Sequence, residues 1–510
     1  MSRGETFQWL MWLACALFLH GPTRVAADVT DTWRVDRIEI RGTLRTHDDI
    51  VRRELLFSVG DTVDAHRLAE TERNLRRLLF LGDVILRFEA LTSEATQPRP
   101  GRAIVDVSER YSRALSPLLD GEAEELSYGL VALDYNFLGR GQVAQVTFFH
   151  DALSGNEIRG TYREPRLAGS RHALRLSAGY AGDEGKDLSV SLSKPFYALH
   201  SRWAYGLVVA HDRERVRLYS GGVLAARYDD ELASSSLWLS HSIDHGGWKI
   251  RPGLRLGISD RDFAPDSSYT YRPNPRRRVL PSLSLTLWRP AYARERFVRG
   301  LGQIEDLQTG GWMTLQAGYS AETLGSDRSY PVAAIALAPR GQPTPNSFLF
   351  GLISVSSRWR EGKPWHMVTS VSGSSYLRYR QSHVWAMRIA YHALHRIEDR
   401  GAQLLLGVDT GLRGYDPRRF DGTRRILAGV EARPILWRHE MAVVGAALFA
   451  DAGKAWTSGS VSQPWVESIG AGFRIGLPTV YDTPILRVDL AHGLQARQAW
   501  QVAFGLGHPF

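Results

Sequence analysis

Two hydrophobic periods divide the chain. Over residues 33–110 both are present. Ile38 and Ile40 alternate with Arg37, Glu39 and Arg41, which predicts a strand ended by Gly42. Thr46 with Asp49 three residues on has the form of a capping box, and Val51 and Leu55 share a face of the helix that follows. A Gly60-Asp61 turn leads to Asp64, which fits an N-cap. Leu68, Leu75 and Leu79 then mark one stripe of a longer helix closed by Gly82. Val84, Leu86 and Phe88 alternate on one strand and Ala103, Val105 and Val107 on another, with Gln97-Pro-Arg-Pro-Gly101 as the turn between them. The predicted order is β-α-α-β-β.

From residue 127 to residue 510 the helical period gives way to period two. Leu174, Leu176, Ala178 and Tyr180 alternate with Arg175, Ser177 and Gly179; Leu188, Val190 and Leu192 with serines; Leu283, Leu285 and Leu287 with Ser282, Ser284 and Thr286; Leu486, Val488 and Leu490 with Arg487, Asp489 and Ala491. One apolar and one small or polar face is what a strand needs with lipid on one side and a wet lumen on the other. The longest connections are read at Asp260–Arg278 and Ala338–Asn346. Strands roughly every 24 residues predict a transmembrane antiparallel β-barrel of about sixteen strands, an even number as such barrels prefer. A single soluble β-sandwich would not use so many short strands. The chain ends Trp500-Gln-Val-Ala-Phe-Gly-Leu-Gly-His-Pro-Phe510, with Trp500, Val502, Phe504 and Leu506 on one face and an aromatic last residue. Trp500, Val502, Phe504 and Phe510 are therefore read as a barrel-closing strand and assembly signal.

Composition places this architecture in a compartment. Arg3 precedes the apolar run Phe7–Leu19, and Val25-Ala26-Ala27 offers small residues for cleavage, so residues 1–27 are read as a secretory signal peptide. The only cysteine, Cys15, lies inside that run, so the mature chain is expected to have neither disulfide nor thiolate chemistry. Beyond it no stretch approaches the roughly 18 apolar residues of a spanning helix, and a closed barrel is the other architecture that satisfies every backbone group in lipid. With a formal net charge of +9 over 510 residues, the basic excess calls for no nucleic acid. Arg276-Arg277-Arg278, read as an extracellular loop, suits anionic lipopolysaccharide better. The expected division is a signal peptide at 1–27, a small α+β domain at 33–110, a linker at 111–126 and an outer-membrane barrel at 127–510.

One β-α-α-β-β module ahead of a C-terminal barrel resembles the BamA/TamA superfamily, whose periplasmic modules are called POTRA domains. Three segments carry the resemblance further. Asp134-Tyr-Asn-Phe-Leu-Gly-Arg-Gly141 resembles the turn after the family's first barrel strand, Gly411-Leu-Arg-Gly-Tyr415 its loop signature, and Phe449-Ala-Asp-Ala-Gly-Lys-Ala-Trp456 the strand that follows. The resemblance implies that the loop folds back into the lumen and that Arg413 meets carboxylates on the inner wall. The matching positions are Glu431 and Asp451, with Gly414 permitting a close approach and Tyr415 packing on the wall. An arginine suits this place because its planar fork pairs with carboxylates in a partly dehydrated lumen.

Catalytic chemistry is not expected. His150-Asp151 and His211-Asp212 are sequence neighbours on strands and point to opposite faces. His392 and His395 lack helical metal spacing, and Gly139-Arg-Gly141 has no following helix to cradle phosphate. No catalytic residue, metal or cofactor is assigned. The resemblance implies a non-enzymatic outer-membrane assembly or translocation factor, its N-terminal domain in the periplasm, whose partners are unfolded outer-membrane or secreted clients, lipid and lipopolysaccharide. A single POTRA-like module departs from family members with several, which leaves the identity of the clients open; the alternative reading is a passive pore or structural barrel docking an envelope partner.

Overall fold

The computed structural model describes residues 32–91, 97–266, 273–380, 382–397, 402–459, 463–478, 485–495 and 499–509. The expected signal peptide and the terminal Phe510 lie outside them. The N-terminal domain comprises β1 (Trp33–Arg41), α1 (Asp48–Arg52), β2 (Thr62–Val63), α2 (Ala65–Arg76), β3 (Leu81–Ala90) and β4 (Arg99–Glu109). The sheet order is β2-β1-β4-β3, with β1 parallel to β4, so β3 presents one free edge. The apolar stripes meet where expected: Val35, Val51, Leu75, Val84 and Val105 are fully buried in one core.

Asp64 caps α2, its carboxylate accepting from the Arg67 amide at 2.7 Å. The expected capping box fails, because His47 is the N-cap of α1 and no side chain caps it. Thr46 instead accepts a hydrogen bond from Asn136 of the barrel, at 2.9 Å. Burial alone would raise the Glu109 carboxyl, but the Thr46 hydroxyl and the Leu44, Arg45 and Thr46 amides bond to it and hold it below the usual carboxylate range. That bond set fixes the loop that presents Thr46.

The remainder closes into an antiparallel barrel of 20 strands, not sixteen. The spacing estimate fails because some turns are only two residues long: Gly221-Gly222 joins Trp203–Ser220 to Val223–His241, and Glu361-Gly362 joins Ser347–Arg360 to Lys363–Tyr379. The two stretches expected as long connections fare differently: Trp248–Pro265 and Arg276–Trp288 take in only the two ends of 260–278, whereas 338–346 is largely strand, because Arg340–Thr344 continues Tyr330–Ala338 past Pro339. The basic triplet therefore opens a strand rather than lying in a loop. The barrel also begins earlier than expected. Arg113–Glu122, inside the stretch read as a linker, is its first strand, pairing with Leu126–Phe137. Pro117 in its middle, a residue that cannot donate to a ladder, conceals it in the sequence.

Leu188, Val190, Leu192, Leu283 and Leu285 are exposed on the outer wall, the inverse of a soluble sandwich and the pattern of an outer-membrane barrel. No helix among the described residues is long and apolar enough to cross a membrane.

Closure is uneven. The last strand, Trp500–Leu506, pairs with the preceding Leu486–Gly493 at seven positions. It meets the first strand at two, Ala503 with Glu122 and Phe504 with Gly121, supplemented by a hydrogen bond from the Ala123 amide to the Val502 carbonyl at 3.2 Å.

Two insertions enter the lumen. From the mouth nearer the N-terminal domain, a hairpin of Tyr292–Arg296 and Ile304–Gln308 turns inward. From the opposite mouth come residues 402–423, between His383–His395 and Arg424–Arg433, with Leu406, Leu412 and Tyr415 fully buried among Leu427, Ala455 and Val466.

Candidate functional site

The second insertion carries the candidate site. The Gly407–Tyr415 stretch is closed on itself: the Val408 amide donates to the Tyr415 carbonyl at 3.0 Å and the Leu412 amide to the Gly407 carbonyl at 2.9 Å. Gly414 has φ +82°, and a Cβ there would fall 2.8 Å from the Gly493 nitrogen. The loop backbone thus lies directly on the barrel wall, at a conformation and a distance only glycine permits. Substituting Gly414 with alanine is expected to cost about 1–3 kcal/mol, through strain and a backbone clash. Thermal loss of the compact electrophoretic form measures it; an unchanged midpoint would show that the loop is not seated there.

This seating drives Arg413 into the wall, where its side chain is 1% exposed. Its Nε donates to Asp451 Oδ2 at 2.7 Å and its Nη2 to Asp451 Oδ1 at 3.0 Å. Its Nη1 reaches Glu431 Oε1 at 2.5 Å and Asp489 Oδ2 at 3.3 Å. The guanidinium lies over Phe449, its Cζ 3.4 Å from the ring centroid. Arg413, Glu431 and Asp451 are therefore brought together, with Gly414 beneath the loop. Tyr415 is packed against the wall with its hydroxyl donating to the Glu467 carbonyl at 2.8 Å.

The sequence reading missed most of the surrounding charge. Asp489 is a third carboxylate, and Arg433 Nε bonds Glu431 Oε2 at 2.7 Å while Arg474 Nη1 bonds Asp489 Oδ1 at 2.6 Å. Arg388 lies 3.7 Å from Asp451, and Arg487 lies 3.8 Å from Asp489. The available signal was alternation. Arg474 falls between the outward Phe473 and Ile475, and Asp489 between Val488 and Leu490, so both belong to the inner face.

The loop also bridges the weak closure. Gln501 Nε2, on the last strand, donates to Asp416 Oδ1 at 2.7 Å. Arg418 Nη2 donates to Glu125 at 2.6 and 2.7 Å, in the turn after the first strand. Arg388 Nη1 additionally bonds the Pro509 carbonyl at 3.1 Å and its Nη2 the Gly411 carbonyl at 2.5 Å, tying chain terminus and loop to one side chain. Of the expected closing-strand residues, Trp500 stacks on His492 with centroids 5.0 Å apart, while Val502 and Phe504 are half-buried in the last strand. Among the described residues no group of three or more His, Cys, Asp or Glu side chains is placed to hold a metal ion.

Residues 33–92 match the family model for POTRA, the surface antigen variable number repeat. A search of the curated proteins finds no match. Among solved structures, Haemophilus ducreyi BamA lacking POTRA domains 1–3 aligns over 93% of this chain and 85% of its own, at 14% identity and TM-score 0.42. CdiB from Acinetobacter baumannii aligns over 93% and 73%, at 13% identity and TM-score 0.47, and CdiB from Escherichia coli over 99% of each chain, at 12% identity and TM-score 0.40. At that similarity none of these alignments assigns a function. Residues 33–92 are a POTRA domain, and the chain joins it to a closed 20-strand barrel, the domain order of the BamA/TamA superfamily that its sequence resembles.

Proposed function

We propose that the chain is a non-enzymatic outer-membrane translocation or assembly factor, with the POTRA domain in the periplasm and the barrel opening between its first and last strands. The observation that carries this reading is the seam. Two registered pairs close it, and a loop anchored in the lumen by Arg413 spans it through Asp416–Gln501 and Arg418–Glu125. A barrel needing only passive stability has no use for one weak joint with a dedicated clasp, because an unpaired edge in lipid is costly. The free edge of β3 supplies a place for an extended client strand to add. The Leu86 amide on that edge is held by Glu72 Oε1 at 2.9 Å, so an incoming strand displaces the Glu72 carboxylate. The driving force is burial of the client's apolar surface as it folds. Two lumen insertions weigh against a permanently open pore.

The reading is tested by outer-membrane proteomics in a host depleted of the protein and complemented with either the intact chain or one lacking residues 33–110. The same small set of outer-membrane or secreted proteins is expected to fall in the depleted host and to stay low with the truncated chain. If the truncated chain is inserted and folded and every other protein keeps its level, the assembly role is wrong.

A further inference from the structure

The Tyr292–Gln308 hairpin is charge-rich at its base and apolar at its tip. The tip is internally rigid: the Glu305 carboxylate accepts from the amides of Val298, Arg299 and Gly300 at 2.9–3.1 Å, and Arg296 Nη1 donates to the Gly302 carbonyl at 2.7 Å. It is pressed into the barrel wall. Val298, 2% exposed, and Leu307 are buried against Phe348, Phe350, Tyr376 and Val384, while Leu301 packs with Val443 and Ile485. Arg299 stacks over Phe350, 3.8 Å from the ring centroid. These contacts run from Ser347–Arg360 to Val443–Trp456, whereas the hairpin leaves the barrel between Arg276–Trp288 and Trp312–Ser320, so it crosses the mouth as a chord.

Its outer side belongs to the POTRA domain. Arg76 of α2 forms two hydrogen bonds to Asp306, both 2.8 Å, and Arg73 lies 4.5 Å over the Tyr292 ring. Its inner side reaches the charge cluster around Arg413 through one ring. Tyr376 has Arg299 of the tip at 5.7 Å from its ring centroid and Arg433 at 6.0 Å, and Arg433 bonds Glu431, the carboxylate that holds Arg413. Beside the tip lies a cleft of about 700 Å³ walled by Arg296, Phe297 and Gly302, by Gly82 and Tyr111 of the N-terminal region, and by Pro478.

We infer that this hairpin is a plug, held in the mouth by α2 through Arg76 and Asp306, and that movement of the POTRA domain withdraws it. A client strand arriving at β3 works on the same domain that holds the plug, so occupancy at the POTRA domain and opening of the lumen are one event. The plug does not depend on what the barrel handles, and its test reads current rather than client levels.

The full-length protein is measured in planar lipid bilayers. Arg76→Glu sets like charges against Asp306 and is expected to raise open probability at least tenfold, and Arg76→Glu with Asp306→Arg to return it towards wild type. Val298→Asp puts a carboxylate in the apolar seat and is expected to open the lumen with the POTRA contact intact. Because a buried aspartate can also impair folding, a cross-link supplies an independent arm. A Cβ built on Gly476 falls 2.8 Å from Leu301 Cβ, which a shift of about 1 Å brings to the separation of a disulfide. Leu301→Cys with Gly476→Cys, in the Arg76→Glu background, is expected to be closed when oxidised and open when reduced. Currents of folded Arg76→Glu and Val298→Asp proteins that match wild type overturn the plug. A charge swap that stays as open as Arg76→Glu alone overturns the coupling to α2.

Discussion

Replacing Arg413 with alanine is expected to release the loop from the lumen and to give the largest loss of stability of any single substitution in the barrel. The side chain makes four hydrogen bonds to three carboxylates, none of which is solvent-exposed. Its removal leaves Asp451 with Arg388 at 3.7 Å as its remaining cation. Glu431 and Asp489 keep Arg433 and Arg474, so the deficit falls mainly on one carboxylate. Breaking a buried pair by deleting one partner typically costs about 3–5 kcal/mol, because the other charge stays desolvated. Lysine restores the charge but not the fork that spans both Asp451 oxygens and Glu431, so Arg413→Lys should recover only part of the loss. The midpoint of urea unfolding in detergent measures both. An unfolding free energy within about 0.5 kcal/mol of wild type for Arg413→Ala would mean that the loop is held by Tyr415 and its apolar neighbours instead.

The seam should feel the same substitution at a distance. With Arg413 gone, Asp416 and Arg418 are carried by a loop without its anchor, and their bonds to Gln501 and Glu125 no longer fix the first and last strands together. Folded barrel with a loosened joint, rather than unfolded chain, is the expected phenotype.

How much of this was legible in the sequence follows from what each signal encodes. Strict alternation at Leu188–Leu192 and Leu283–Leu287 encodes a wall with lipid on one side, and it yields a barrel whatever the number of strands. The number depends on turns, and an even spacing of about 24 residues passes over a two-residue turn such as Gly221-Gly222, although Gly-Gly between strands is itself a hairpin signal. The first strand went unread because Pro117 interrupts its pattern. Arg413, Glu431 and Asp451 were found because a resemblance linked loop to strand. Asp489 and Arg474 were not, since alternation says which face they occupy but not what lies across the lumen from it. The hairpin at Tyr292–Gln308 left no signal: Glu295, Arg296, Arg299, Glu305 and Asp306 give it the composition of a solvated loop, and the partners that consume those charges are remote in sequence.

The most direct measurement is a lock on the seam. Glu122 and Ala503 are registered partners, and directly opposed residues of an antiparallel pair lie about 4.5–5.5 Å apart at Cα, inside the range a disulfide spans. Cys15, the chain's only cysteine, falls in the expected signal peptide, so Glu122→Cys with Ala503→Cys introduces the sole thiol pair of the processed chain. The barrel is expected to insert and fold in both redox states, with the single variants as controls. Oxidised, the double variant should fail to sustain the set of outer-membrane proteins that falls on depletion, and a membrane-permeant reductant should restore them. A disulfide-locked barrel that maintains every one of those proteins at wild-type level would contradict the account, because nothing could then pass or fold through the joint between the first and last strands.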